Sequence, residues 1–125
     1  MPNMFHAYAL LQLRKQLKLT QQQMADLMGL PKHRYMKIEK AHDNVKLEEI
    51  KSFFNTLNID QKPYDNVITY MAKHCLRDSV YQPTSSKYFG VMLPIPHLQK
   101  VTLDLLEIGL NIEQYVLTKR IKYAY

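Results

Sequence analysis

One cysteine and three glycines in a chain of 125 residues remove several possibilities at once. Cys75 has no second thiol to pair with, which excludes an internal disulfide and a cysteine-rich zinc site and fits a reducing compartment. Glycine occurs only at Gly29, Gly90 and Gly109, which suits long helices better than a turn-rich β fold. No apolar run is long enough to span a bilayer. The stretch "HAYALLQL" near the start has some features of a leader. However, no Lys or Arg precedes Arg14, and the Ala7-Tyr8-Ala9 triplet comes before the leucines, not after them. The expectation is a soluble cytoplasmic protein with no membrane role. Signs of catalysis are also missing: no Gly-rich phosphate loop, no paired carboxylates at a plausible site, no nucleophile beside a base. The five histidines show no His-x-x-x-His or carboxylate-histidine spacing, so neither a metal nor another cofactor is expected. His74 next to Cys75 reads as a helix residue beside a buried thiol, not as a catalytic dyad.

What is present is a globular composition, 46% hydrophobic and 22% charged. The length allows one ordinary domain, or a small one with an appendage, and either can bury a core without staples. The formal charge of +6 favours an acidic partner such as nucleic acid or an anionic surface.

Apolar spacing divides the first part of the chain into five helices. Residues 4 to 18 carry a broad apolar face through Phe5, Tyr8, Leu11 and Leu17, with Arg14, Lys15 and Lys18 in the last turn. Thr20 and Gln23 form a capping-box pattern ahead of Met24, Ala25, Leu27 and Met28. Gly29 stands where a left-handed C-terminal residue is wanted, and Pro31 suits the first turn of the next helix. The second helix is therefore expected at about 21–28 and the third at about 31–40. The third turns Tyr35 and Ile38 inward and Lys32, His33, Met36 and Lys37 outward. A fourth helix, about 47–57, should bury Leu47, Ile50, Phe53, Phe54 and Leu57. Lys46 precedes it where a Ser or Thr cap is usual, so Asp43 or Asn44 is the alternative cap. After a break at Asp60–Pro63, "YDNVITYMAKHCL" supplies a fifth helix.

Beyond it the composition shifts. "VYQPTSSKYFGVMLPIP" holds three of the six prolines and reads as a loop enclosing a short strand, Tyr88 to Leu93. From about His97 the chain is helical again, with Val101, Leu105 and Ile108 on one side. Gly109-Leu110-Asn111 is expected to interrupt it, with Asn111 as a new N-cap.

The stretch "LTQQQMADLMGLPKHRYMKIEKA" decides the reading. Its pattern Thr-Gln-x-x-x-Ala-x-x-x-Gly, followed by a helix ending Ile-Glu-Lys, resembles the helix-turn-helix of the Cro/phage-repressor (XRE) family over roughly residues 8 to 60. Ala25 must be small where two helices cross, Gly29 permits the tight turn, and Ile38 anchors the third helix to the core. The family pairs an arginine late in its first helix with a glutamate at the end of the third. Here those are Arg14 and Glu39, a pair that would fix the third helix's angle.

The resemblance implies a mainly α fold: a five-helix lambda-repressor-like domain over 1–78, then a C-terminal extension over 79–125 with the short strand and one or two helices. It implies base readers along the outer face of the third helix, at Pro31, Lys32, His33 and Lys37, although Pro31 offers no side-chain donor. Gln21 matches a glutamine that contacts phosphate, and Arg34 and Lys40 fit phosphate from the flank. Between residues 14 and 40 seven positive residues face only Asp26 and Glu39. The function implied is a sequence-specific, double-stranded DNA-binding regulator of bacterial, phage or plasmid origin. It would be a repressor acting as a homodimer on an inverted repeat, with 79–125 building the dimer. The alternative is an antitoxin-type protein whose residues 79–125 cover a toxin partner. Tyr115, Tyr123 and Tyr125 read as packing or interface, and Lys119, Arg120 and Lys122 as a solvated face.

Overall fold

The computed structural model describes residues 2–75 and 93–123, and the side chains of 4–75 and 93–115. Six helices follow one another: α1 (Pro2–Gln16), α2 (Gln21–Met28), α3 (Lys32–Glu39), α4 (Leu47–Leu57), α5 (Lys62–His74) and α6 (Ile95–Tyr123). No strand occurs among the described residues. The expected strand Tyr88–Leu93 lies outside them except for Leu93, which is buried and not in a strand.

The first helix is the hub. It packs against α3, α5 and α6, and Phe5, Ala7, Ala9, Leu10, Leu11 and Leu13 are all buried. This explains its apolar breadth, because a helix covered on several sides cannot carry a one-sided pattern. Both remaining faces of the core are closed by α4, through Ile50, Phe53, Phe54 and Leu57, and by α5, through Tyr64, Val67 and Met71. Each such side chain contributes roughly 1.5–3 kcal/mol by leaving water.

The long α6 joins the same core. Val101, Leu105, Ile108 and Ile112 are buried, and the helix packs on α1 and α5. It runs through Gly109 without a break, and Asn111 caps nothing. The reason lies at the end of α1. A methyl group on Gly109 would sit 2.3 Å from Gln16 Oε1, so the missing side chain makes room for Gln16. The amide of Gln16 in turn donates to the Leu106 carbonyl at 2.8 Å. Close approach, not a helix end, accounts for this glycine. At the other end of the contact, the His74 and His97 rings stack at 3.9 Å between centroids, and Tyr70 Oη bonds His97 Nδ1, tying α5 to α6.

The first four helices end by one rule, while α5 ends at an extended Cys75. After α1, Lys18 takes φ +56°, Lys18 N–H donates to Lys15 O, and Leu19 N–H reaches back to Arg14 O. The same paired bonds close α2 at Gly29 (φ +69°), α3 at Ala41 (φ +60°) and α4 at Asn58 (φ +54°). Only one of the four left-handed residues is a glycine. This is why α1 stops at Gln16, short of the expected residue 18.

Two expectations about α4 need correction. Lys46, not Asp43 or Asn44, is the N-cap residue, and its backbone N–H donates to Glu49 Oε1 at 2.8 Å. Leu47 is 79% exposed because burial on α4 begins only at Ile50, leaving the first turn outside the packed region.

Candidate nucleic-acid interface

The α2–turn–α3 unit is set by local chemistry. Thr20 Oγ1 accepts from the Gln23 amide at 3.1 Å, and Gln23 Oε1 accepts from the Thr20 N–H at 2.9 Å, a complete capping box. Gly29 then turns the chain, with nothing within 4 Å of where its Cβ would be. The glycine is needed there for its backbone angle, not for space. Pro31 is extended (φ −61°, ψ 146°) and serves as the N-cap of α3, which therefore starts at Lys32, one residue after the expected start. Ala25 and Ile38 are buried, at 0% and 1% exposure, where α2 and α3 meet the core.

The inner side of α3 is locked by an ion pair. Arg14 Nε and Nη2 donate to the two oxygens of Glu39 at 2.8 and 2.9 Å. Arg14 Nη1 also donates to Leu19 O at 3.0 Å, so the guanidinium ties α1, its following turn and α3 together. Gln21 Nε2 adds a third bond to Glu39, at 3.2 Å. Burial works against the Glu39 charge, but the Arg14 and Gln21 donors outweigh it and hold the carboxyl below its ordinary value. The Glu39 hydrogen bond raises the already high pKa of Arg14 against the effect of burial. Buried Tyr35 lies beside the pair, and burial first, then the Glu39 charge, pushes its hydroxyl up.

The outer side of α3 is exposed and basic. Lys32, His33, Lys37 and Lys40 are exposed, and Met36 is half-buried between them. At 100° per residue, these positions span less than half of the helix circumference. An eight-residue helix is about 12 Å long, a size that a B-DNA major groove admits.

Arg34 sits differently. Its guanidinium bonds Asp43 Oδ2, Glu49 Oε1 and the Asn44 carbonyl, the last two at 2.7 and 3.1 Å. It therefore fastens α3 to the following loop and to the first turn of α4. The Glu49 hydrogen bond leads in raising its pKa. The sequence reading missed this network because Asp43 and Glu49 lie 9 and 15 residues away, at no helical spacing. It also missed the buried His6–Tyr64 pair, Nδ1 to Oη at 2.7 Å. Lys119, Arg120, Lys122, Tyr123 and Tyr125 lie outside the described side chains, while Tyr115 packs half-buried against the core. Among the described residues, no three His, Cys, Asp or Glu side chains come together as a metal group, and no helix is long and apolar enough to cross a membrane.

A short capped helix, a tight glycine turn and a second helix locked from behind with its basic side outward define a helix-turn-helix DNA-binding domain. The family model described as helix-turn-helix matches residues 10–60. Over those residues the chain carries a helix-turn-helix DNA-binding domain similar to that of Cro/phage-repressor (XRE) regulators. Comparisons with curated proteins and with solved structures gave no match.

Proposed function

We propose that the protein is a sequence-specific transcriptional repressor that binds an inverted-repeat operator in double-stranded DNA as a homodimer, with no enzymatic step. It would act in the cytoplasm of a bacterium, encoded there or by a phage or plasmid. One observation carries the reading: Lys32, His33 and Lys37 are exposed together on α3, while Tyr35, Ile38 and Glu39, with the Arg14 pair, are buried. Lys32 and Lys37 suit guanine O6 and N7, and His33 suits a base edge or a phosphate. Gln21, at the start of α2, and Lys40, on the flank of α3, are assigned to phosphate. Arg34, with two carboxylates on it, is assigned to holding the α3–α4 loop in place. Residues 79–125 are assigned to dimerisation, and 1–78 to DNA contact.

Selecting bound sites from a random DNA library tests this. The expected product is two half-sites about one helical turn apart, which lower transcription when placed across a promoter. Lys37→Ala should cost roughly 1–3 kcal/mol on the selected site and relax one base pair, while Gln21→Ala should weaken binding evenly across sequences. Absence of any enriched sequence, or a Lys32→Ala, Lys37→Ala double variant that binds like the parent, would overturn the reading.

A further inference from the structure

Helix α6 is apolar on two opposite sides, and only one of them is covered. Val101, Leu105, Ile108 and Ile112 face the core, while half a turn away Leu103, Leu106 and Leu110 are 64%, 44% and 49% exposed. Their i, i+3, i+7 spacing is that of a seam between two helices. The core side of α6 meets α1 and α5, whereas α3 packs on α1 and α2, so the seam is separate from the basic side of α3.

Resting on the dimer reading above, we propose that this seam takes a second copy of the chain, in an antiparallel helix pair about a two-fold axis between Leu103 and Leu106. The charges beside the seam select both the occupant and the direction. The acids Asp104, Glu107 and Glu113 outnumber Lys100 there, which disfavours DNA on this side. A two-fold antiparallel pair brings the same flank of both helices together. Lys100 and Glu107 lie on one flank, at about 80° and 60° from the middle of the seam. When Leu103 faces Leu106 of its partner, Lys100 falls within about 3 Å along the axis of its partner's Glu107. The symmetry makes that ion pair twice. Lys100 now holds Asp104 at 2.9 Å and lies over the Tyr70 ring of α5, 5.2 Å from its centroid, so pairing across the seam has its ammonium turn from these neighbours to the partner's Glu107. A parallel pair would set Lys100 beside Ile95 and Thr102 of its partner, with no acid at that level.

Sedimentation equilibrium of the full chain at micromolar concentration, with far-UV circular dichroism and thermal melting of each variant, tests the surface. The parent is expected to be a dimer with a concentration-dependent melting temperature, and Leu106→Glu a monomer with the parent's far-UV spectrum that still melts cooperatively, at a lower temperature that no longer depends on concentration. Lys100→Glu and Glu107→Lys should each weaken association roughly tenfold, and the two together should restore it. Three results would overturn the proposal. A parent dimer indifferent to Leu106→Glu and to both charge reversals would place the interface elsewhere and leave the dimer reading standing. Charge reversals without mutual rescue would refute the antiparallel register. A monomeric parent would refute the dimer as well. Selection of DNA sites by that same parent reports separately on the DNA reading.

Discussion

Replacing Glu39 by Gln tests whether the inner lock sets the position of α3. The carboxylate accepts three hydrogen bonds, two from Arg14 and one from Gln21. Its side chain is 6% exposed, and that of Arg14 is 18% exposed. Removing one partner of a buried ion pair costs about 3–5 kcal/mol. Arg14 keeps some water and its bond to Leu19 O, and the Gln amide still offers one acceptor, so about 2–3 kcal/mol is expected here. The pH dependence adds a sign. The folded carboxyl titrates below its ordinary value of 4.5, so it contributes fully above the unfolded value. That contribution fades as pH falls through the folded value. Urea denaturation of parent and Glu39→Gln at pH 7 and stepwise down to pH 3 measures both. The two stabilities should differ by about 2–3 kcal/mol at pH 7, and the gap should narrow in acid. A difference under about 0.5 kcal/mol at pH 7, or one that does not narrow in acid, would refute the account. Arg14→Met should lower stability similarly, and the double variant should cost less than the two single variants together.

Three further outcomes follow from the packing. Tyr64→Phe leaves the buried His6 nitrogen without its partner and should cost about 1–3 kcal/mol by the same denaturation assay. Burial lowers the pKa of His6 against the opposing charge of Asp65, so below about pH 6.5 the unfolded chain takes up the proton first. Stability tied to His6 should therefore be lost as pH falls from there, and a ring that titrates at or above 6.5 by NMR would contradict this. Ala41→Gly relieves a left-handed alanine and should stabilise by about 1 kcal/mol, whereas a loss would mean the Ala41 methyl has a packing role. A fragment of residues 1–78 uncovers the sides of α1 and α5 that α6 now covers. It should be less stable by a few kcal/mol, the burial lost being partly offset by the ordering of α6 that is no longer needed. A midpoint equal to that of the full chain would show that α6 adds nothing to the core.

The helix positions were legible wherever a side chain signals its own backbone. Thr20 with Gln23 marked the start of α2, and Gly29 marked its end. Where a residue adopts a backbone angle that its type does not favour, the sequence carries no sign. Lys18 and Ala41 end helices as Gly29 does, but nothing in a lysine or an alanine signals positive φ. Gly109 shows the converse. Its type suggested a break, while its actual role is to give way to Gln16, which lies far from it in sequence. Leu47 was placed by periodicity, which gives the direction of a side chain but not how far the core extends along the helix.

The site was legible by the same division. Lys32, His33 and Lys37 lie outward because Tyr35, Ile38 and Glu39 are held inward, and that alternation can be read from one helix alone. Arg34 could not be read so, since its fate depends on two acids brought in by the next loop and helix. Counting positive residues therefore overstates the charge available to a phosphate backbone: of the seven between residues 14 and 40, Arg14 and Arg34 are engaged by carboxylates. Both are arginines, whose planar fork can hold an acid and a carbonyl together, whereas the exposed groups on α3 are lysines and a histidine. The chain thus fixes α3 with residues suited to rigid pairing. It leaves at the surface of α3 the lysines and histidine that the proposed function assigns to bases and phosphates.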